Sequence, residues 1–76
     1  MTGEEELDRV LVVGDDGSWL TAIEFRLVDH RSTSRGPRRA LGRREWRLST
    51  GERLDVVGAD AFLVRRTGEM LGVATT

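Results

Sequence analysis

Apolar and polar positions alternate with period two along most of this chain, and glycines punctuate the alternation. The clearest run is Trp19-Leu-Thr-Ala-Ile-Glu-Phe-Arg-Leu-Val28, in which Trp19, Ile23, Phe25 and Leu27 fall on one side. That is the pattern of a half-buried strand. Shorter runs predict further strands, giving a set at about 8–14, 19–28, 44–49, 52–57, 61–66 and 69–74. Trp46 also continues an apolar face, so both tryptophans are expected to pack in the core.

Gly17, Gly51 and Gly68 each close a short polar segment: Asp15-Asp16-Gly17, Ser49-Thr50-Gly51 and Arg66-Thr67-Gly68. All three fit a hairpin loop made of a type I turn and a left-handed residue, where glycine escapes the Cβ clash. Counting outward sets Val13 opposite Trp19 and Trp46 opposite Leu54. Around Gly68 it sets Arg65 against Glu69, Leu63 against Leu71 and Ala61 against Val73. Cross-strand pairs of this kind stabilise a hairpin. The similarity of Trp46–Leu54 to Leu63–Leu71, Thr, Gly, Glu and Leu coinciding, reads as repeated hairpin chemistry rather than a repeated ligand loop.

The expected fold is therefore mainly β, an antiparallel meander of five or six strands curled into a small, partly closed barrel or a twisted sheet. One domain spans 8–76, preceded by an acidic tail over 1–7. Thr2 and Glu5 have capping-box spacing there, but only Leu7 offers anything to bury, which favours a frayed tail. Residues 29–44, DHRSTSRGPRRALGRR, lack a strand pattern and read as a long Arg-rich loop. Within it Pro37 can open a short helix over 36–44; the other readings are a mobile loop or an extended arm.

Composition narrows the chemistry. With 76 residues, the chain is too short to bury a large core, and its stability is expected at only about 5 kcal/mol. No Cys is present and His30 is the single histidine, which excludes disulfides, thiolate metal sites and His-rich ones. Oligomerisation is the reinforcement left open. There is no apolar run long enough to span a bilayer and no secretory signal pattern, so a cytoplasmic location is expected. Lys, Asn, Gln and Tyr are absent and all 12 basic residues are Arg, which points to a GC-rich bacterial or phage genome.

Net charge is −1, but it is unevenly spread: −6 over residues 1–29, +6 over 30–47 and −1 beyond. The basic block holds Arg31, Arg35, Arg38, Arg39, Arg43, Arg44 and Arg47. Guanidinium forks suit phosphate and carboxylate, so these arginines form the candidate partner-binding or polyanion-binding site. Their alternatives are the chain's own acids, within one copy or across a dimer, or plain solvation.

Other candidates fall away. Asp15-Asp16-Gly17-Ser18 lacks the alternating ligands of a Ca²⁺ loop and reads as a turn. Asp29-His30 with Ser32 or Ser34 shows no nucleophile motif, so no catalytic residue is assigned. Glycine-rich phosphate loops are missing, and no cofactor, metal or small-molecule ligand is indicated. The leading expectation is a non-enzymatic interaction domain, a homodimer or a binder of a small protein partner, because an open sheet with no Lys and its one Pro outside the strands has exposed edges. The alternative is a nucleic-acid-binding β module using residues 30–47.

Overall fold

In the computed structural model, which describes residues 2–74, six strands follow one another without a helix. They are β1 (Thr2–Val13), β2 (Trp19–Thr33), β3 (Gly36–Leu48), β4 (Arg53–Gly58), β5 (Ala61–Val64) and β6 (Met70–Val73). Each pairs antiparallel with the next, and β1 pairs with β6 through Val12 opposite Val73 and Val13 opposite Gly72, closing a barrel. Meander order and closure agree with the expected fold, and closure removes the barrel's free edges.

Gly17, Gly51 and Gly68 have φ of +83°, +104° and +78°, the left-handed conformation for which they were singled out. A fourth turn was missed. Ser34 and Arg35 span it, and Gly36 follows with φ of +106°. Thr33 fastens it, its Oγ1 donating to the Gly36 carbonyl at 2.6 Å and accepting the Arg35 N–H at 3.3 Å.

That turn corrects two expectations. Residues 29–44 are neither a loop nor a short helix: Val28–Thr33 pair with Gly36–Leu41, and Pro37 sits near the start of β3, on a free edge where its missing N–H costs no ladder bond. Nor is the acidic segment a tail, because Thr2–Glu6 pair with Asp29–Phe25. The three long strands therefore outrun the barrel as an arm. The molecule measures 53 × 27 × 20 Å, and its radius of gyration is 15.3 Å. A compact chain of this length would have about 11 Å.

Where arm meets barrel, both outer strands carry a bulge against β2. Leu7 is the extra residue on β1, while on β3 Gly42 and Arg43 together oppose Leu27. Bulges bend a strand and re-aim its side chains. Here both faces of β2 are buried: Ala22 (0%) lies in the barrel core and its neighbour Ile23 (4%) points the other way, as does Phe25 (0%). The guanidiniums of Arg47 and Arg53 stand 5.6 and 5.0 Å from the Phe25 ring centroid.

The barrel core comprises Val12, Ala22, Leu48, Leu54, Phe62, Val64 and Leu71, with Trp46 packed on it and its ring 4.8 Å from that of Phe62. Val13 faces Trp19 and Trp46 faces Leu54 as expected. Trp19, however, is 63% exposed, on the barrel's outside. The pairing around Gly68 is also one residue off the count: Phe62 faces Leu71 and Leu63 faces Met70. The loop there is longer than three residues, Val64 N–H donating to the Glu69 carbonyl and Gly68 N–H to that of Val64. One residue of slip exchanges the faces, so Phe62 and Val64 enter the core in place of Leu63.

This burial pattern predicts that Phe25→Ala costs about 3–5 kcal/mol, whereas Trp19→Ala changes stability by under about 0.5 kcal/mol. Urea denaturation of the two variants separates them.

Candidate functional site

The seven arginines of the basic block all lie on β2, β3 or the turn between them, and the fold divides them into two groups. Three have partners. Arg47 is half-buried at the barrel end of β3: its Nε donates to Glu4 at 3.1 Å and its Nη1 to the Leu48 carbonyl at 3.2 Å. Arg39 donates to Glu5 at 2.8 Å, and Arg31 to Asp29 at 2.6 Å. Arg35, Arg38, Arg43 and Arg44 are exposed, with no ion pair or side-chain hydrogen bond among the described residues.

The acids of β1 explain the division. Arg26, directly across from Glu5, gives it two hydrogen bonds of 3.0 and 2.6 Å, and Arg39 takes the other oxygen. One carboxylate thus ties together β1, β2 and β3. Glu6 binds Arg9 at 2.7 Å. The bulges make the Glu5 cluster possible. They shift the side-chain alternation of β1 and β3 but not of β2, so that Glu5, Arg26 and Arg39 share a face. Hydrogen bonds from Arg26, then the charges of Arg26 and Arg39, hold the Glu5 carboxyl below the ordinary range. The hydrogen bond from Arg9 does so for Glu6, and that from Arg31 for Asp29.

The unpartnered arginines sit on the arm's free edge. β4 pairs with β3 only at Trp46 and Arg47, leaving residues 36–44 of β3 with a neighbour on one side alone, among the described residues. Arg35 is in the turn at the tip, Arg38 lies directly opposite Arg31, Arg43 is in the bulge, and Arg44 lies directly opposite Arg26. Like charges facing each other across a strand pair are destabilising. Here one member of each facing pair is answered by a carboxylate, Arg31 by Asp29 and Arg26 by Glu5, so the uncompensated charge is that of Arg38 and Arg44.

The remaining candidates resolve into structure. Asp16 caps its turn, accepting the Ser18 N–H at 2.9 Å. Asp29 and His30 are consecutive on β2 and point to opposite faces, so they do not stack into a relay. Among the described residues no group of His, Asp and Glu could hold a metal, and no helix is long and apolar enough to cross a membrane. What sequence reasoning missed is the pairing that sorts the arginines. Its signal was present in Ser34-Arg35-Gly36, which repeats the form of Asp15-Asp16-Gly17.

Comparison with known proteins identifies no relative: no family model, no curated protein and no solved structure matches the chain.

The depressed carboxyls give the arm a pH dependence of definite sign. Their contribution to stability is complete above the unfolded values, about 4.3 for Glu and 3.9 for Asp, and is lost as pH falls through the lower folded ones. Thermal melts should therefore fall below about pH 4. In Glu5→Gln the drop is smaller, and at neutral pH amide exchange over residues 26–41 is faster than in the unaltered protein.

Proposed function

We propose that this domain is a non-enzymatic binding module that grips the phosphate backbone of nucleic acid with the outer strand of its arm. The observation that carries this reading is the set Arg35, Arg38, Arg43 and Arg44, exposed and unanswered by any carboxylate among the described residues, although the neighbouring Arg26, Arg31, Arg39 and Arg47 each have one. Guanidinium forks match phosphate oxygens. The whole chain has a net charge of −1, whereas the arm, residues 2–6 and 26–44, holds seven Arg against four acids, a net +3, which favours contact through the arm. A cytoplasmic location fits this role.

A second reading, association with a protein partner or a second copy, is favoured by a different observation. Trp19 (63% exposed) and Leu11 (45%) flank Val13 on the outer face of the barrel. Exposed tryptophan is enriched at protein interfaces. The charge blocks no longer argue for a dimer, because Glu4, Glu5 and Glu6 are partnered within the chain.

For nucleic acid, fluorescence anisotropy with labelled oligonucleotides at low salt is decisive. Four phosphate contacts give a slope of log K against log salt of about −3.6, and replacing all four arginines by Gln removes most of it. Absence of binding to both single- and double-stranded probes overturns the reading. For self-association, light scattering coupled to gel filtration at high micromolar concentration should show a dimer that Trp19→Ala dissolves. A monomer mass in both low and high salt removes the second-copy form.

A further inference from the structure

We infer that the arm's partner is a B-form DNA duplex, entered tip first through the major groove. This rests on the nucleic-acid reading above and names its substrate. Three observations point the same way.

The first is width. Among the described residues, His30–Thr33 pair only with Gly36–Arg39, so the last stretch of the arm is a two-stranded ribbon. Its backbones stand about 5 Å apart, and the major groove of B-DNA, about 12 Å wide, admits such a ribbon. Four residues of strand reach about 13 Å, against a groove depth of about 8.5 Å. Behind them the arm widens to three strands, and the third brings Glu4, Glu5 and Glu6, so carboxylates rather than guanidiniums would meet the phosphates beyond that depth.

The second is the placement of charge. Arg35 stands at the tip, Arg31 and Arg38 on one face of the ribbon and Arg39 on the other. Arg43 and Arg44 follow Arg38 by five and six residues, about 17–20 Å back along the strand. A tip on the groove floor thus brings Arg31, Arg38 and Arg39, about 7–13 Å up the ribbon, to the height of the rim, where the phosphates lie, and leaves Arg43 and Arg44 above it.

The third is the lack of a stacking surface. Residues 26–45 contain no Phe, Trp or Tyr. Phe25 is fully buried and Trp46 packs on Phe62. Trp19, which opens β2, is about 45 Å along the strand from Thr33. Single-strand binders rely on aromatic platforms, and this arm has none. A-form RNA offers a major groove too narrow for side chains to read.

Three probes of one sequence, a 20-bp DNA duplex, the matching RNA duplex and one DNA strand, test this at a fixed low ionic strength. The DNA duplex should bind about tenfold or more tighter than either alternative, a gap of about 1.4 kcal/mol or more. Arg35→Gln with Arg38→Gln should weaken duplex DNA far more than single strands. Because the chain has no Cys, Ser34→Cys accepts one fluorophore at the tip and Asp60→Cys one in the β4–β5 turn. Duplex DNA should change the emission at 34 and leave that at 60 unaltered. Equal affinity for single-stranded DNA or duplex RNA, or an unresponsive tip label on bound duplex, overturns groove entry while the phosphate-binding reading stands. Binding to none of the probes overturns both.

Discussion

Phe25, buried beneath the guanidiniums of Arg47 and Arg53, is where the barrel and the arm are joined. It lies on the outer face of a strand whose inner face already supplies Ala22 to the barrel core. A fifteen-residue strand covered on only one face would have nothing to hold it straight beyond the barrel rim. Here the cover comes from long cationic side chains, whose stems exclude water while their heads remain paired, Arg47 with Glu4 and Arg53 with Glu45. Glu4 belongs to the arm and Arg47 to the barrel, so the same contact that shields Phe25 also bridges the two parts.

Around this joint the charges are sorted by geometry rather than by count. Bulges at Leu7 and at Gly42 with Arg43 flank β2 on either side and bring Glu5 onto the face shared by Arg26 and Arg39. Each acid of the Glu4–Glu6 block then finds an arginine within the chain. Exposed pairs of this kind contribute little individually, and their main effect is to fix which arginines remain. Those on the free edge of β3 make no ion pair among the described residues. Arg38 faces Arg31, whose charge Asp29 already answers, and so remains an uncompensated cation on the outer strand.

The barrel, by contrast, is conventional in its economy. Its core is a ring of seven buried side chains of moderate size, closed by the pairing of β1 with β6. Closure removes the edges that would recruit another sheet, and the edges left on the arm carry bulges, Pro37 and dense charge. These are the devices that discourage indiscriminate strand addition, and they leave the arm exposed without making it sticky toward other sheets.

Several features of this protein were determined by its sequence alone. Gly17, Gly51 and Gly68 marked the reversals, because a positive φ excludes most other residues and leaves a local signature. The meander followed from them, as did the concentration of arginine in one segment. Other features depended on which strand lies beside which. Residues 29–44 carry few β-formers, and their extended conformation comes from the ladder between the end of β2 and the start of β3 rather than from any propensity of their own. The faces of β2 were misread because alternation names two sides without saying which one a barrel will enclose, and Ile23 and Phe25 are buried on the outside. Around Gly68 a loop longer than expected moved the pairing by one residue and exchanged Leu63 for Phe62 in the core. The sorting of arginines into partnered and unpartnered was likewise decided only in three dimensions, since Glu4 and Arg47 are 43 positions apart in the chain and meet only because β1 and β3 both pair with β2. Local backbone constraints are written residue by residue; electrostatic pairing across strands is a property of their register, and only the folded sheet has one.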